Sequence, residues 1–140
     1  MPWLINLKNK KVIVIGGGKA AKQKIIQFID EGAKVTVVAL DILDSIKELP
    51  CYLIEKSYEV QYLKGAFLVY SATNDHNLNQ RIVNDANRQG ILSASATKSE
   101  STLRSMKKVE TNNIILGVST GYPAFSKKLK DELIIYDSYL

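Results

Sequence analysis

Three consecutive glycines, Gly16-Gly17-Gly18, stand between an apolar run at Lys11–Ile15 and a segment whose apolar residues Ala21, Ile25, Phe28 and Ile29 follow helical spacing. That order reads as strand, tight turn and helix. Gly32 stops the helix, and the β-branched run Lys34–Ala39 supplies a second strand. A βαβ unit of about thirty residues requires a right-handed crossover and therefore a parallel sheet. The fold class is α/β with a Rossmann-type parallel sheet.

The rest of the chain extends the alternation. Asp41–Leu49 reads as a short helix or loop, Cys51–Glu55 as a short strand, and Ala66–Tyr70 as a strand buried on both faces. Leu78, Ile82, Val83 and Ala86 are helically spaced up to Gly90, and Ile91–Ala96 is the next strand. After Thr97 the segment Lys98–Ser105 is polar and mixed. Ile114–Ser119 then predicts a strand leading through Gly121-Tyr122-Pro123 into a helix with Phe125, Leu129 and Leu133. At 140 residues the chain suits one main core plus a small appendage. The expected division is a nucleotide-binding domain over 1–110 and a segment over 111–140 that buries its apolar stripe against a second copy of the chain, forming a homodimer.

Composition excludes several classes. The longest apolar runs fall far short of the ~20 residues that cross a bilayer, so no membrane partner is expected. One cysteine and one histidine leave neither an internal disulfide nor a Cys/His zinc site, so no metal is expected. The N-terminus has the wrong order for a secretory signal, and the cytoplasm is the expected location. Of the formal charge of +5, most comes from Lys98–Lys130, where seven basic residues face two acids. No interleaved basic and aromatic surface accompanies it, so nucleic acid is not an expected partner.

Gly16-Gly17-Gly18-Lys19-Ala20-Ala21 satisfies G-x-G-x-x-A between a strand and a helix, the context in which the pattern binds a dinucleotide. Gly16 permits the turn, Gly18 lets the backbone approach a pyrophosphate, and Ala21 keeps helix and strand close. The alternative is a tight turn without a ligand. Asp41, roughly twenty residues on, is the candidate acceptor of the ribose hydroxyls or else a helix cap. No arginine lies nearby to hold a 2′-phosphate, which favours NAD over NADP. Ser71-Ala72-Thr73-Asn74-Asp75 falls at the carboxyl edge of the sheet, where open α/β folds bind ligands, and Asn74 or Asp75 can also cap the next helix. Cys51 reads as a structural thiol and His76 as a solvated loop histidine.

Pro2-Trp3-Leu4-Ile5-Asn6-Leu7, Val12–Gly18, Gly32–Ala39, Gly65–Val69, Ala72–Asp75, Leu78-Asn79, Gly90-Ile91-Leu92 and Val118–Gly121 follow one another in an order and spacing that resembles precorrin-2 dehydrogenase. This is the NAD-dependent module of siroheme synthases, and the resemblance covers about residues 2–135. It implies oxidation of precorrin-2 to sirohydrochlorin with NAD as hydride acceptor, an acidic tetrapyrrole substrate, a dimer, and in some members insertion of ferrous iron. It also implies a C-terminal helical domain, which the sequence up to Leu140 does not contain. Thr97 stands where the family carries an aspartate proposed as acid/base, so the catalytic residue is left unassigned. Arg104, Lys107, Lys108 and Lys127 are the candidates for steering a polycarboxylate substrate. A second function follows from Thr97: a catalytically reduced relative that holds NAD or a tetrapyrrole as carrier, sensor or enzyme partner.

Overall fold

The computed structural model describes residues 3–118 and 123–137. The first of its two compact units, Met1–Arg104, holds a five-stranded sheet. Its strands are β1 (Lys11–Ile15), β2 (Lys34–Val38), β3 (Tyr52–Ile54), β4 (Leu68–Ser71) and β5 (Leu92–Ser95). Helices α1 (Lys19–Asp30), α2 (Asp44–Lys47) and α3 (His76–Arg88) connect them, with a 3-10 turn at Val60–Leu63. Every pairing is parallel and the order is β3-β2-β1-β4-β5, so β1 lies at the centre and the order reverses between β1 and β4. This is the Rossmann-type arrangement that the alternating periodicity predicts.

Strand alternation sorts β1 between two cores. Val12 and Val14 pack with Ala21 and Ile25 of α1, whereas Ile13 and Ile15 pack with Ile82 and Ala86 of α3. All four β1 residues are at most 2% exposed, which is why the strand reads as a continuous apolar run. Truncating Ile13 to Ala would cost about 2–5 kcal/mol, because the helices on both faces prevent collapse into the space.

The second unit, Ser105–Leu140, pairs β6 (Lys107–Glu110) with β7 (Ile115–Val118) as an antiparallel hairpin. The Thr111 N–H donates to the Ile114 carbonyl at 2.8 Å and closes the turn. Helix α4 (Pro123–Asp137) packs on both strands. β6 is absent from the sequence reading because Lys107-Lys108-Val109-Glu110 has one apolar residue. Its strand character comes from pairing with β7. The units therefore divide between Arg104 and Ser105, where the sequence alone suggests 110 and 111. The expected strand ends at Ser119, which lies outside the described residues along with Gly121 and Tyr122.

Candidate nucleotide-binding site

A groove of about 670 Å³ opens beyond the carboxyl ends of β1, β2 and β4, at the point where the strand order reverses. Gly16, Gly17, Gly18, Lys19 and Ala20 form its floor. The three glycines have different reasons to be there. Gly16 has φ +134°, and a Cβ on it would run into the Ala72 backbone. A Cβ on Gly17 would strike the backbone of Asp41 and Ile42. A Cβ on Gly18 would meet nothing within 4 Å. Packing thus explains the first two glycines and leaves the third to be explained by what enters the groove.

The start of α1 points the same way. Gly18 is its N-cap, no side chain accepts from the free N–H groups, and no acid occupies the first turn. These donors and the positive end of the helix dipole face the groove and suit a phosphate. At α3, by contrast, Asp75 Oδ1 accepts from Asn77 N–H at 2.9 Å and Leu78 N–H at 3.1 Å, which already satisfies that helix start. Asp75 is a cap and does not line the groove. Ala21 is fully buried, and Ser71 is buried where its hydroxyl donates to Ser95 Oγ at 2.9 Å; neither reaches the groove.

Ala72, Thr73, Asn74 and Asp41 do line it. Asp41 is exposed and caps nothing: Leu43 is the N-cap of α2, and no side chain bonds there. Sequence reading missed Lys47, Glu55, Lys56, Ser57 and Tyr58, which close the β2–β3 end. Lys47 Nζ lies 2.7 Å from Glu55 Oε1, and that contact raises the lysine pKa. The Tyr58 hydroxyl donates to Asp85 Oδ2 at 2.8 Å, fixing this loop to α3. Burial and that bond together push the phenol pKa far upward. No contiguous motif marks this end of the groove, since it is assembled from separate loops.

Thr97 belongs to a hydroxyl and amide network. Its Oγ1 lies 3.3 Å from Ser95 Oγ and accepts from Asn79 Nδ2 at 3.4 Å. Asn79 in turn holds Thr73, so the Thr97 position is wired to the groove wall. His76 is exposed at the start of α3, and Cys51 is half-buried with its thiol pKa raised by desolvation. Arg104, Lys107, Lys108 and Lys127 are exposed; Arg104, in the first unit, does not line the groove, and Lys108, in the second, pairs with Glu110 at 2.8 Å. Among the described residues no three His, Cys, Asp or Glu side chains gather to hold a metal, and no helix is long and apolar enough to cross a membrane.

A family model described as "Putative NAD(P)-binding" matches residues 3–103, the Rossmann-type unit and its groove. The chain belongs to this NAD(P)-binding family. Within it, the chain is 38% identical over 96 residues to a siroheme synthase of Buchnera aphidicola, covering 66% of this chain and 20% of that enzyme. It is 26% identical over 136 residues to a precorrin-2 dehydrogenase of Priestia megaterium, covering 93% of this chain and 67% of that enzyme. The solved structure of SirC, a precorrin-2 dehydrogenase, superposes with a TM-score of 0.82 at 27% identity, over 95% of this chain and 69% of that one. The chain spans about one fifth of the length of the siroheme synthases it matches. This member of the NAD(P)-binding family is therefore similar to siroheme synthases and precorrin-2 dehydrogenases, and the similarity to the latter extends over more than nine tenths of the chain.

Proposed function

We propose that this protein oxidises precorrin-2 to sirohydrochlorin with NAD, in siroheme biosynthesis. The observation that carries the cofactor reading is Gly18, which lines the groove and whose missing side chain no packing contact requires. The Gly16–Gly18 turn and the free N–H groups of α1 hold the pyrophosphate, and the exposed Asp41 carboxylate accepts the ribose hydroxyls, which favours NAD over NADP. Thr73 and Asn74 bound the β4 side. When bound, the nicotinamide supplies the hydride acceptor.

Thr97 does not take the substrate proton, since a hydroxyl titrating far above neutrality is no general base at pH 7. Its role is to hold the Asn79 amide, and catalysis rests on the placement of the substrate ring. The similarity to precorrin-2 dehydrogenases over most of the chain supports the substrate. Exposed Arg104, Lys107, Lys108 and Lys127 suit its carboxylates by Coulombic steering. A homodimer through the second unit and a cytoplasmic location complete the reading.

The test is NADH formation from freshly made precorrin-2 by the natural chain and by Thr97→Asp. Turnover by the natural chain supports the proposal. Turnover by Thr97→Asp alone would assign the protein to a catalytically reduced relative that binds NAD or a tetrapyrrole. No turnover by either folded chain would overturn the dehydrogenase reading.

A further inference from the structure

The β2–β3 end of the groove carries charges that the glycine turn does not explain. Asp41 follows β2, Lys47 ends α2, and Glu55 and Lys56 follow β3; all four line the groove. Two acids and two bases balance along this lining, and the Asp44 carboxylate, at the start of α2, also acts on Lys47. Lys47 Nζ stands 2.7 Å from Glu55 Oε1, with the two side chains 41% and 51% exposed. Such an exposed pair contributes little to stability, so its placement on the lining of the same groove as Asp41 calls for another reason.

Here the adenosine ribose lies in a doubly wound fold, beyond the end of the second strand. A ribose with a free 2′-hydroxyl is neutral and can donate to a carboxylate. A 2′-phosphate carries nearly two negative charges and needs an uncompensated cation. Lysine is the suitable cation, as a flexible point charge that can turn toward phosphate when no carboxylate holds it. We propose that the Lys47–Glu55 ion pair selects the dinucleotide: Glu55 keeps Lys47 engaged and adds its negative charge to the groove that Asp41 also lines, so the groove accepts NAD and rejects NADP. The inference rests on the reading of this groove as a dinucleotide site and adds to it the residues that discriminate between the two cofactors.

The test is calorimetric titration of the full chain with NAD and with NADP, for the wild type, Glu55→Gln, and Glu55→Gln combined with Lys47→Met. In Glu55→Gln the ratio of the two dissociation constants shifts toward NADP by about fivefold to tenfold at low salt, and the shift shrinks as salt rises. Adding Lys47→Met removes the shift. An unchanged ratio in a Glu55→Gln chain that still binds NAD overturns the inference and leaves the groove reading standing, as does a shift that survives Lys47→Met. A wild-type chain that binds neither dinucleotide overturns the groove reading, and the inference with it.

Discussion

The Asn79 side chain holds Thr73 by three of that residue's polar groups. Asn79 Oδ1 accepts from the Thr73 N–H at 3.0 Å and from its hydroxyl at 2.7 Å, while Asn79 Nδ2 donates to the Thr73 carbonyl at 3.0 Å. Asn79 is fully buried on α3 and Thr73 lines the groove, so a core residue sets the shape of the groove wall.

Asn79→Ala leaves two backbone groups of Thr73 without partners and should cost about 2–3 kcal/mol in urea unfolding. Asn79→Asp keeps the acceptor but sets a carboxylate oxygen against the Thr73 carbonyl. Both variants should weaken NAD binding in calorimetry, although neither side chain lines the groove. Wild-type affinity in a destabilised Asn79→Ala would show that Thr73 is held by other means.

The glycines separate folding from binding. Gly16→Ala combines a φ of +134° with a backbone clash at Ala72, and should lose about 2–4 kcal/mol of stability. Gly18→Val has an extended backbone and open space around its Cβ, so its stability should change by less than about 1 kcal/mol. Its NAD binding should be lost, because the side chain fills the space that a pyrophosphate needs. Thermal denaturation beside calorimetry checks both outcomes, and equal NAD affinity in wild type and Gly18→Val would make the turn purely structural.

Tyr58→Phe removes the hydroxyl that donates to buried Asp85 and should cost roughly 1–3 kcal/mol at neutral pH. The phenol pKa is raised in the folded state by burial first and by the Asp85 hydrogen bond second. A raised pKa contributes stability that is fully present below the unfolded value and is lost as pH climbs toward the folded one. The wild-type advantage over Tyr58→Phe should therefore hold from neutrality to about pH 10 and narrow above it. Urea midpoints of both chains across that range give the comparison.

The second unit exposes apolar side chains that a lone hairpin and helix cannot cover: Ile114, Ile115, Leu116, Met106 and Phe125 are each 42–53% exposed. Sedimentation equilibrium at micromolar concentration should give a dimer, and Phe125→Asp with Leu129→Asp should give a monomer. A wild-type monomer would rule out association through this face.

The sheet was legible because its evidence is local. Val12–Ile15 forms an unbroken apolar run, Gly32 and Gly90 end helices, and the spacing in Lys19–Asp30 and His76–Arg88 has one period. The glycine turn was legible for the same reason, since strand, glycines and helix start are contiguous. Arrangement in space decided the rest. Gly16 and Gly17 owe their lack of a side chain to Ala72 and Asp41, far along the chain, and the chain order of residues shows no such approach. Lys47 meets Glu55, Tyr58 meets Asp85 and Asn79 meets Thr97 only once the crossovers bring their loops and helices to one edge of the sheet. β6, with a single apolar residue, is a strand because β7 supplies its hydrogen bonds. Propensity and periodicity act between near neighbours and can be read along the chain. Close packing and charge pairing act across space, and only the folded chain sets those distances.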